Sequence, residues 1–153
     1  MIIEVQIERL DGNEDIDLPT YATDGSAGVD LAAATVEPQV MEPGTRSLIP
    51  TGLRIALPTD YEAQIRPRSG LALRSGITVL NTPGTIDSDY RGELGVILIN
   101  LSNDPFIINR GDRIAQMMIT PVIPIRWKEA KIDQDTSRSG GGFGSTNGRD
   151  SNS

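Results

Sequence analysis

The densest group of side chains that could act on a small polar ligand lies in residues 81–93. This stretch carries an amide at Asn81, carboxylates at Asp87 and Asp89, and an aromatic ring at Tyr90. A carboxylate can serve as a general base when it lies within hydrogen-bonding reach of the proton that it removes. Because Asp and Asn are also common turn residues, the same stretch could instead be an ordinary surface loop.

The composition narrows the available chemistry. The chain has 153 residues with no Cys and no His, which excludes disulfides, thiol nucleophiles, Cys/His zinc sites and Ser-His-Asp catalysis. A general base must therefore be Asp, Glu, Lys or Tyr. A metal ion must bind oxygen ligands, which favours Mg²⁺ over zinc.

The charge and the N-terminus argue against several kinds of partner. With 21 acidic and 14 basic residues, the net charge is −7, so the chain is a poor candidate for binding nucleic acid or anionic membranes. No stretch approaches the ~18 apolar residues of a membrane span. The first residues include Glu4 and Glu8 and lack a basic start, so no signal peptide is predicted and a cytoplasmic location is expected.

Short strands separated by turn residues must position the polar stretch. Residues 76–80 and 94–101 flank it and predict a wide hairpin. No helical apolar period persists for three turns, and residues 68–74 are expected to form one helical turn. The pattern predicts an all-β sandwich or barrel in a single domain, with further strands at residues 2–10, 29–34, 36–40, 45–49, 53–57, 61–66, 106–108, 114–120 and 122–128.

The last residues differ from the rest of the chain. Residues 133–153 contain one large apolar residue, Phe143, and cannot bury enough surface to fold alone. Their glycines, the Ser145 and Thr146 hydroxyls and the Arg138 guanidinium could still bind an anion. We therefore predict a β domain over residues 1–132 followed by a flexible Gly-rich segment.

Three further polar segments lie at the ends of predicted strands. Asp30 offers a carboxylate, Arg68 and Ser69 offer a guanidinium and a hydroxyl before a nascent helical turn, and Gln116 offers an amide. Each has a structural alternative: a turn cap for Asp30, a surface cation for Arg68 and a satisfied sheet edge for Gln116.

Two charged residues near Gln116 are expected to be structural. Asp112 and Arg113 are interpreted as a local ion pair or another structural contact.

Taken together and in order, these phrases resemble the five motifs of the trimeric dUTPases (deoxyuridine triphosphate nucleotidohydrolases). The resemblance covers residues 18–148. It implies a distorted jelly-roll β-barrel or sandwich with a flexible C-terminal arm. Minor departures are Val29, where an aromatic residue is frequent, and Arg74, where Lys is common; neither position is expected to carry the chemistry. The phrases are residues 27–31, 67–70, 81–93, 110–116 and 138–146.

The resemblance implies hydrolysis of dUTP to dUMP and pyrophosphate with Mg²⁺, which limits dUTP and supplies dUMP for thymidylate synthesis. Asp87 is similar to the general base that activates a water for attack on the α-phosphorus, a role that typically contributes about 10²–10⁴ in rate. Asp30 resembles the carboxylate that reaches the metal ion through its water shell.

The resemblance also implies the substrate contacts. The phosphates would be bound by Arg68, Ser69, Gly70 and Gln116. The uracil would be recognised by Asn81 and the backbone of Gly84, Thr85 and Ile86. The deoxyribose would pack on Tyr90. The C-terminal arm would act as a lid, through Arg138 on the γ-phosphate, Phe143 on uracil, and Gly144, Ser145 and Thr146 around the phosphates.

A homotrimer with shared active sites is implied as well, with the lid supplied by a third chain. Two other interpretations of the function stay open. A dCTP deaminase has a related fold and acts at the base. A non-catalytic β module would bind nucleotide, or serve a structural role, without turnover.

Overall fold

The computed structural model describes residues 2–142, and this part of the chain is almost entirely β structure. The all-β prediction is confirmed. The elements follow in the order β1 (Gln6–Arg9), β2 (Val29–Ala32), β3 (Gln39–Met41), β4 (Arg46–Pro50), β5 (Leu53–Ala56), β6 (Tyr61–Arg66), α1 (Ser69–Ser75), β7 (Ile77–Val79), β8 (Gly84–Ile86), β9 (Gly95–Asn100), β10 (Phe106–Ile108) and β11 (Arg113–Pro121).

The strands form small antiparallel sheets. A four-stranded sheet has the order β2-β11-β6-β8, and a three-stranded sheet has the order β4-β9-β7. Two further pairs join β1 to β5 and β3 to β10. Most paired strands are far apart in the sequence, so the sheets bring together polar segments from distant parts of the chain.

The core lies between these sheets because their strands alternate buried and partly exposed residues. In β6 the side chains of Ala63 and Ile65 are buried, and in β9 those of Val96 and Leu98 are buried. Burying one such aliphatic side chain typically stabilises the fold by about 1.5–3 kcal/mol. The last buried residue of the core cluster is Met117, so none of the described residues of the Gly-rich segment, 133–142, belongs to it.

The helix α1 is short because a proline precedes it and a glycine ends it. Pro67 follows β6 and lacks a backbone N–H, so it cannot continue the sheet ladder. At the other end Gly76 adopts a left-handed conformation with φ of 63°, and its N–H donates to Ala72 O. Within residues 2–142, no helix has the length and apolar character needed to cross a membrane.

The chain divides into two compact units, Met1–Ile123 and Pro124–Ser153. The second unit is described as far as residue 142 and consists of turns and extended chain. There Arg138 Nε donates to Gly141 O at 2.9 Å, and Ser139 N donates to Thr136 O at 3.1 Å.

Two expectations about strands were wrong. The predicted strand at residues 122–128 is absent: β11 ends at Pro121, and no strand follows in the described chain. Pro121 and Pro124 have no N–H to donate to a ladder, so the alternating pattern was not sufficient. Conversely, the hairpin between β7 and β9 contains an additional strand, β8, which pairs with β6 in the other sheet.

Candidate active site

The first cluster of candidate residues surrounds a cleft of about 430 Å³ beside β2 and β11. Its lining is mainly polar and comes from three separate phrases of the chain. The residues that bear on the chemistry are Asp30, Arg68, Ser69, Gly70, Arg74 and Gln116.

The register of the sheet explains why these residues meet. Gln116 lies opposite Asp30 on β2 and opposite Arg66 on β6. Residues directly opposite each other in antiparallel strands have neighbouring side chains. The chain then turns at Pro67 into α1, and Gln116 Nε2 donates to Pro67 O at 2.9 Å. Gln116 therefore ties the start of the Arg68 phrase to the central strand.

Asp30 and Arg68 form a two-point ion pair at the edge of the cleft. Arg68 Nε lies 2.9 Å from Asp30 Oδ1, and Arg68 Nη2 lies 3.3 Å from Asp30 Oδ2. The two side chains are 24% and 28% exposed, so the pair is partly shielded from water. Asp30 is therefore not a turn cap, and Arg68 is not an isolated surface cation.

Arg113 joins this pair instead of the ion pair expected with Asp112. Its Nη1 lies 3.3 Å from Asp30 Oδ2, and its backbone carbonyl accepts a hydrogen bond from Arg68 Nη1 at 3.2 Å. The Asp112 carboxylate accepts the Asn109 N–H at 2.8 Å, which closes the turn before β11. A structural role for both residues agrees with these contacts.

Arg110, at the start of the same phrase, points to a different partner. Its Nε and Nη2 donate to the Asp15 carboxylate at 2.8 and 2.7 Å. These hydrogen bonds lower the pKa of the Asp15 carboxyl and raise the pKa of Arg110. Arg110 thereby anchors the N-terminal connection rather than lining the cleft.

The second cluster lies where β8 ends. Asp87 directly follows β8, and a smaller, more apolar cleft of about 220 Å³ is lined by Thr85, Ile86, Asp87 and Tyr90 together with Leu48 and Ile97. β8 is paired with β6 through Gly84 opposite Ile65 and Ile86 opposite Ala63. The backbone before Asp87 is therefore part of a sheet rather than a free loop.

Hydrogen bonds shape the loop that carries Asp87. Tyr90 N donates to Asp87 O at 3.1 Å, and the Tyr90 hydroxyl donates to Glu93 O at 2.9 Å. Arg91 Nη1 donates to both Ser88 O and Tyr90 O. Glu93 Oε1 accepts the Gly52 N–H at 2.8 Å, so the loop is attached to the scaffold at its end.

Two glycines allow this loop to close, and one of them, Gly92, was not among the predicted site residues. A Cβ on Gly92 would collide with the Tyr90 ring and hydroxyl, so only glycine lets Tyr90 fold back over the chain. A Cβ on Gly84 would lie 3.2 Å from Asn81 Nδ2. The two residues expected to read uracil, Asn81 and Gly84, are thus in close contact. The Tyr-x-Gly spacing was the available signal for Gly92.

The two clusters do not meet within one chain. Asp30 lies on one edge strand of the four-stranded sheet, and Asp87 follows the opposite edge strand. Three inter-strand spacings and four residues along the strand place them on the order of 20 Å apart. The two groups of candidate residues, here called half-sites, therefore lie at opposite edges of the sheet.

The remaining predicted residues belong to the second unit. Arg138 is described and makes its hydrogen bond locally with Gly141 O. Phe143, Gly144, Ser145 and Thr146 lie outside the described residues.

One carboxylate in the first cleft suits a hydrated cation. Within residues 2–142, no cluster of three or more acidic side chains could enclose a metal ion. Mg²⁺ commonly keeps several waters and takes only one or two protein carboxylates together with substrate phosphates. Asp30 accepts three hydrogen bonds from arginines, and a carboxylate offers about four lone-pair sites. The Asp30 carboxylate can therefore accept one further hydrogen bond, which a metal-bound water could donate.

Comparison with known proteins identifies the family of the chain. The family model described as dUTPase matches residues 14–147. A protein named deoxyuridine 5′-triphosphate nucleotidohydrolase from Wolbachia pipientis wMel is 57% identical over 146 residues, which cover 94% of this chain and 95% of the relative. A protein of the same name from Rickettsia bellii (strain OSU 85-389) is 57% identical over 145 residues, covering 95% and 96%.

Solved structures show the same fold at lower identity. A Staphylococcus bacteriophage 80alpha dUTPase bound to dUpNHpp has a TM-score of 0.82 and 24% identity, covering 93% of this chain and 97% of that chain. The dUTPase of phage phi11 of S. aureus, described with a structural Mg(II) ion, has a TM-score of 0.75 and 22% identity, covering 85% and 98%.

The match to the family model spans most of the chain, and both bacterial relatives are aligned over nearly their whole length. The chain therefore belongs to the dUTPase family, whose named relatives are deoxyuridine triphosphate nucleotidohydrolases.

Proposed function

We propose that this protein hydrolyses dUTP to dUMP and pyrophosphate at sites formed where one copy of the chain meets another. Family membership supports the reaction. The observation that supports the shared site is the separation of Asp30 and Asp87, on the order of 20 Å within one chain. A single nucleotide could contact both half-sites if the Asp87 edge of one copy faced the Asp30 cleft of another.

A homotrimer satisfies this requirement with closed symmetry. In a ring of three, each copy offers its Asp87 edge to one neighbour and its Asp30 cleft to the other, which gives three equivalent sites. The C-terminal segment, including Arg138 and Phe143, would then close over a site as a lid. Excluding water in this way is a usual role of mobile segments in catalysis.

Asp87 is the proposed general base. Its carboxylate is exposed at the end of β8, and the preceding backbone is fixed by pairing with β6. It would orient a water and take its proton as the water attacks the α-phosphorus, while pyrophosphate leaves. The chain contains no His that could serve instead. A positioned base of this kind supplies about 10²–10⁴ in rate.

The first cleft supplies the charge and the hydrogen bonds for the phosphates. Arg68, the Ser69 hydroxyl, the Gly70 backbone and the Gln116 amide are the proposed phosphate contacts. Asp30 would hold Mg²⁺ through its water shell, and the ion would neutralise negative charge on the phosphates when bound. Most of the remaining rate enhancement in phosphoryl chemistry comes from such charge stabilisation.

The hairpin around β8, together with the second cleft beside it, would recognise the nucleoside. Asn81 and the backbone of Gly84, Thr85 and Ile86 are the proposed contacts to uracil. Uracil presents an N3–H donor between two carbonyl acceptors, whereas cytosine presents an acceptor at N3 and an amine at C4. A buried site that matches one pattern leaves polar groups unpaired with the other, which provides strong discrimination. Tyr90 would pack on the deoxyribose and leave no room for a 2′-hydroxyl.

The proposed reaction limits dUTP and supplies dUMP for thymidylate synthesis. It is tested by incubating the purified protein with dUTP and Mg²⁺ and measuring pyrophosphate. Release of pyrophosphate with dUMP formation is the expected result. Ammonia release from dCTP would instead identify a deaminase, and turnover of neither nucleotide would identify a non-catalytic β module.

A further inference from the structure

Arg74 lies in the first cleft, although its position was not expected to carry the chemistry. Its side chain lines the same cleft as Arg68, Ser69 and Gln116. Within residues 2–142, its guanidinium makes no hydrogen bond and no ion pair. A cation without a partner beside the proposed phosphate site is a candidate for direct contact with substrate.

The position of the guanidinium follows from the geometry of α1. Arg74 is four residues after Gly70, so the two lie on the same face of the helix one turn apart. Long helical side chains point back toward the helix N-terminus. A Cβ built on Gly70 would lie 3.0 Å from Arg74 Nη2, 3.1 Å from Nη1 and 3.3 Å from Cζ. The guanidinium therefore packs across Gly70, which has no side chain to displace it.

The Arg74 guanidinium does not take the position that is usual for a basic residue in the last turn of a helix. Such residues favour the helix C-terminus because the last carbonyls carry partial negative charge. The Arg74 guanidinium instead reaches back over the first turn and donates to no carbonyl of the described chain. Interaction with the C-terminus of α1 therefore does not explain the position of the Arg74 guanidinium.

The other arginine of the cleft is already paired. Arg68 uses Nε and Nη2 on the Asp30 carboxylate and Nη1 on Arg113 O. The cleft lining thus contains two guanidinium groups and one carboxylate, a net charge of +1. Because Arg68 and Asp30 compensate each other, Arg74 is the uncompensated charge among these lining residues.

We propose that Arg74 is a phosphate-binding residue that favours the triphosphate substrate over the monophosphate product. Its contact would be with the phosphoryl groups beyond the α-phosphate, since these are present in dUTP and absent from dUMP. Removing pyrophosphate would end the contact and so promote release of dUMP. This inference rests on the proposed function, because it requires that the cleft bind the polyphosphate of a deoxynucleotide.

The test compares Arg74→Gln with the wild type in binding and in turnover. In the presence of Mg²⁺, the Kd for dUpNHpp should rise about tenfold, the range of one charge-assisted contact at a partly exposed site. The Kd for dUMP should change less than twofold. KM for dUTP should rise with kcat nearly unchanged, as expected for a contact made equally in the bound substrate and the transition state. Arg74→Lys should recover much of the lost affinity.

Arg46→Gln is the matched control. Arg46 is exposed on β4, lies outside the cleft and loses the same charge on substitution. It should leave both Kd values unchanged. The inference is overturned if Arg74→Gln leaves the Kd for dUpNHpp unchanged, or if it weakens dUpNHpp and dUMP equally. Failure of the proposed function would be recognised separately, because the wild type would then release no pyrophosphate from dUTP.

Discussion

Asp30 and Asp87 occupy opposite edges of one four-stranded sheet, separated by β11 and β6. The proposed reaction needs both, one near the metal-bound phosphates and the other at the attacking water. Their separation, on the order of 20 Å, is several times the length of a water-bridged contact. Under the proposed function, a catalytic unit would therefore combine two copies of the chain.

Two inactive variants should restore activity to each other when mixed. Asp87→Asn retains the Arg68 cleft, and Arg68→Gln retains the Asp87 loop. After unfolding and joint refolding at equal amounts, about a quarter of randomly assembled shared sites would combine an intact Asp87 with an intact Arg68. Pyrophosphate release should then reach about a quarter of the wild-type rate.

Each variant refolded alone serves as the control and should remain slow. Melting curves of both variants verify that loss of activity is not loss of fold. If the mixture stays as inactive as the separate variants while forming mixed oligomers, the two half-sites do not combine between chains.

Asp87→Asn should bind substrate but turn it over slowly. The amide has nearly the shape of the carboxylate and cannot accept the proton of the attacking water. We expect kcat to fall at least ~10²-fold while the Kd for dUpNHpp changes little. Single-turnover measurement of pyrophosphate release reports the chemical step.

Asp89→Asn provides the matched comparison for that variant. It makes the same chemical change two residues away in the same exposed loop. Its kcat should stay close to the wild-type value. Near-normal turnover by Asp87→Asn would remove that residue from the role of base.

Tyr90→Ala should narrow the preference for dUTP over UTP. Removing the ring opens the space against which the deoxyribose is proposed to pack, so a 2′-hydroxyl would be accommodated. The ratio of kcat/KM for dUTP to that for UTP is the relevant measurement.

Tyr90→Phe separates the ring from the hydroxyl. It retains the aromatic surface and removes the hydrogen bond from Tyr90 Oη to Glu93 O. We expect this variant to keep the dUTP preference even if the loop loses some stability. An unaltered ratio in Tyr90→Ala would assign the discrimination to other residues.

Deleting residues 136–153 should leave the fold intact and impair catalysis strongly. The core cluster ends at Met117, so truncation removes no buried core side chain of the first unit. We expect the Tm to change little while kcat/KM for dUTP falls by at least about tenfold, as for loss of a closing segment. A large drop in Tm would indicate that these residues support the fold instead.

Residue types and their spacing are enough to predict an all-β domain and to limit the chemistry available to it. Alternating apolar residues predicted β6 at Tyr61–Arg66, and an apolar run before a turn predicted β10 at Phe106–Ile108, both with the observed bounds. The absence of His and Cys left Asp, Glu, Lys and Tyr as the residue types that could serve as a base. These features are local, because side-chain periodicity and turn preferences depend on neighbouring residues.

Which strands pair and which side chains meet depends on the folded chain. β8 begins at a glycine and carries one large apolar side chain, Ile86, and it is a strand because β6 offers it an edge. Residues 122–128 have the apolar pattern but no ladder partner in the described chain. Arg68 meets Asp30 across 38 positions, and Arg74 reaches the cleft because Gly70 leaves space. Strand pairing and side-chain contact depend on distant residues, so no local pattern could specify them.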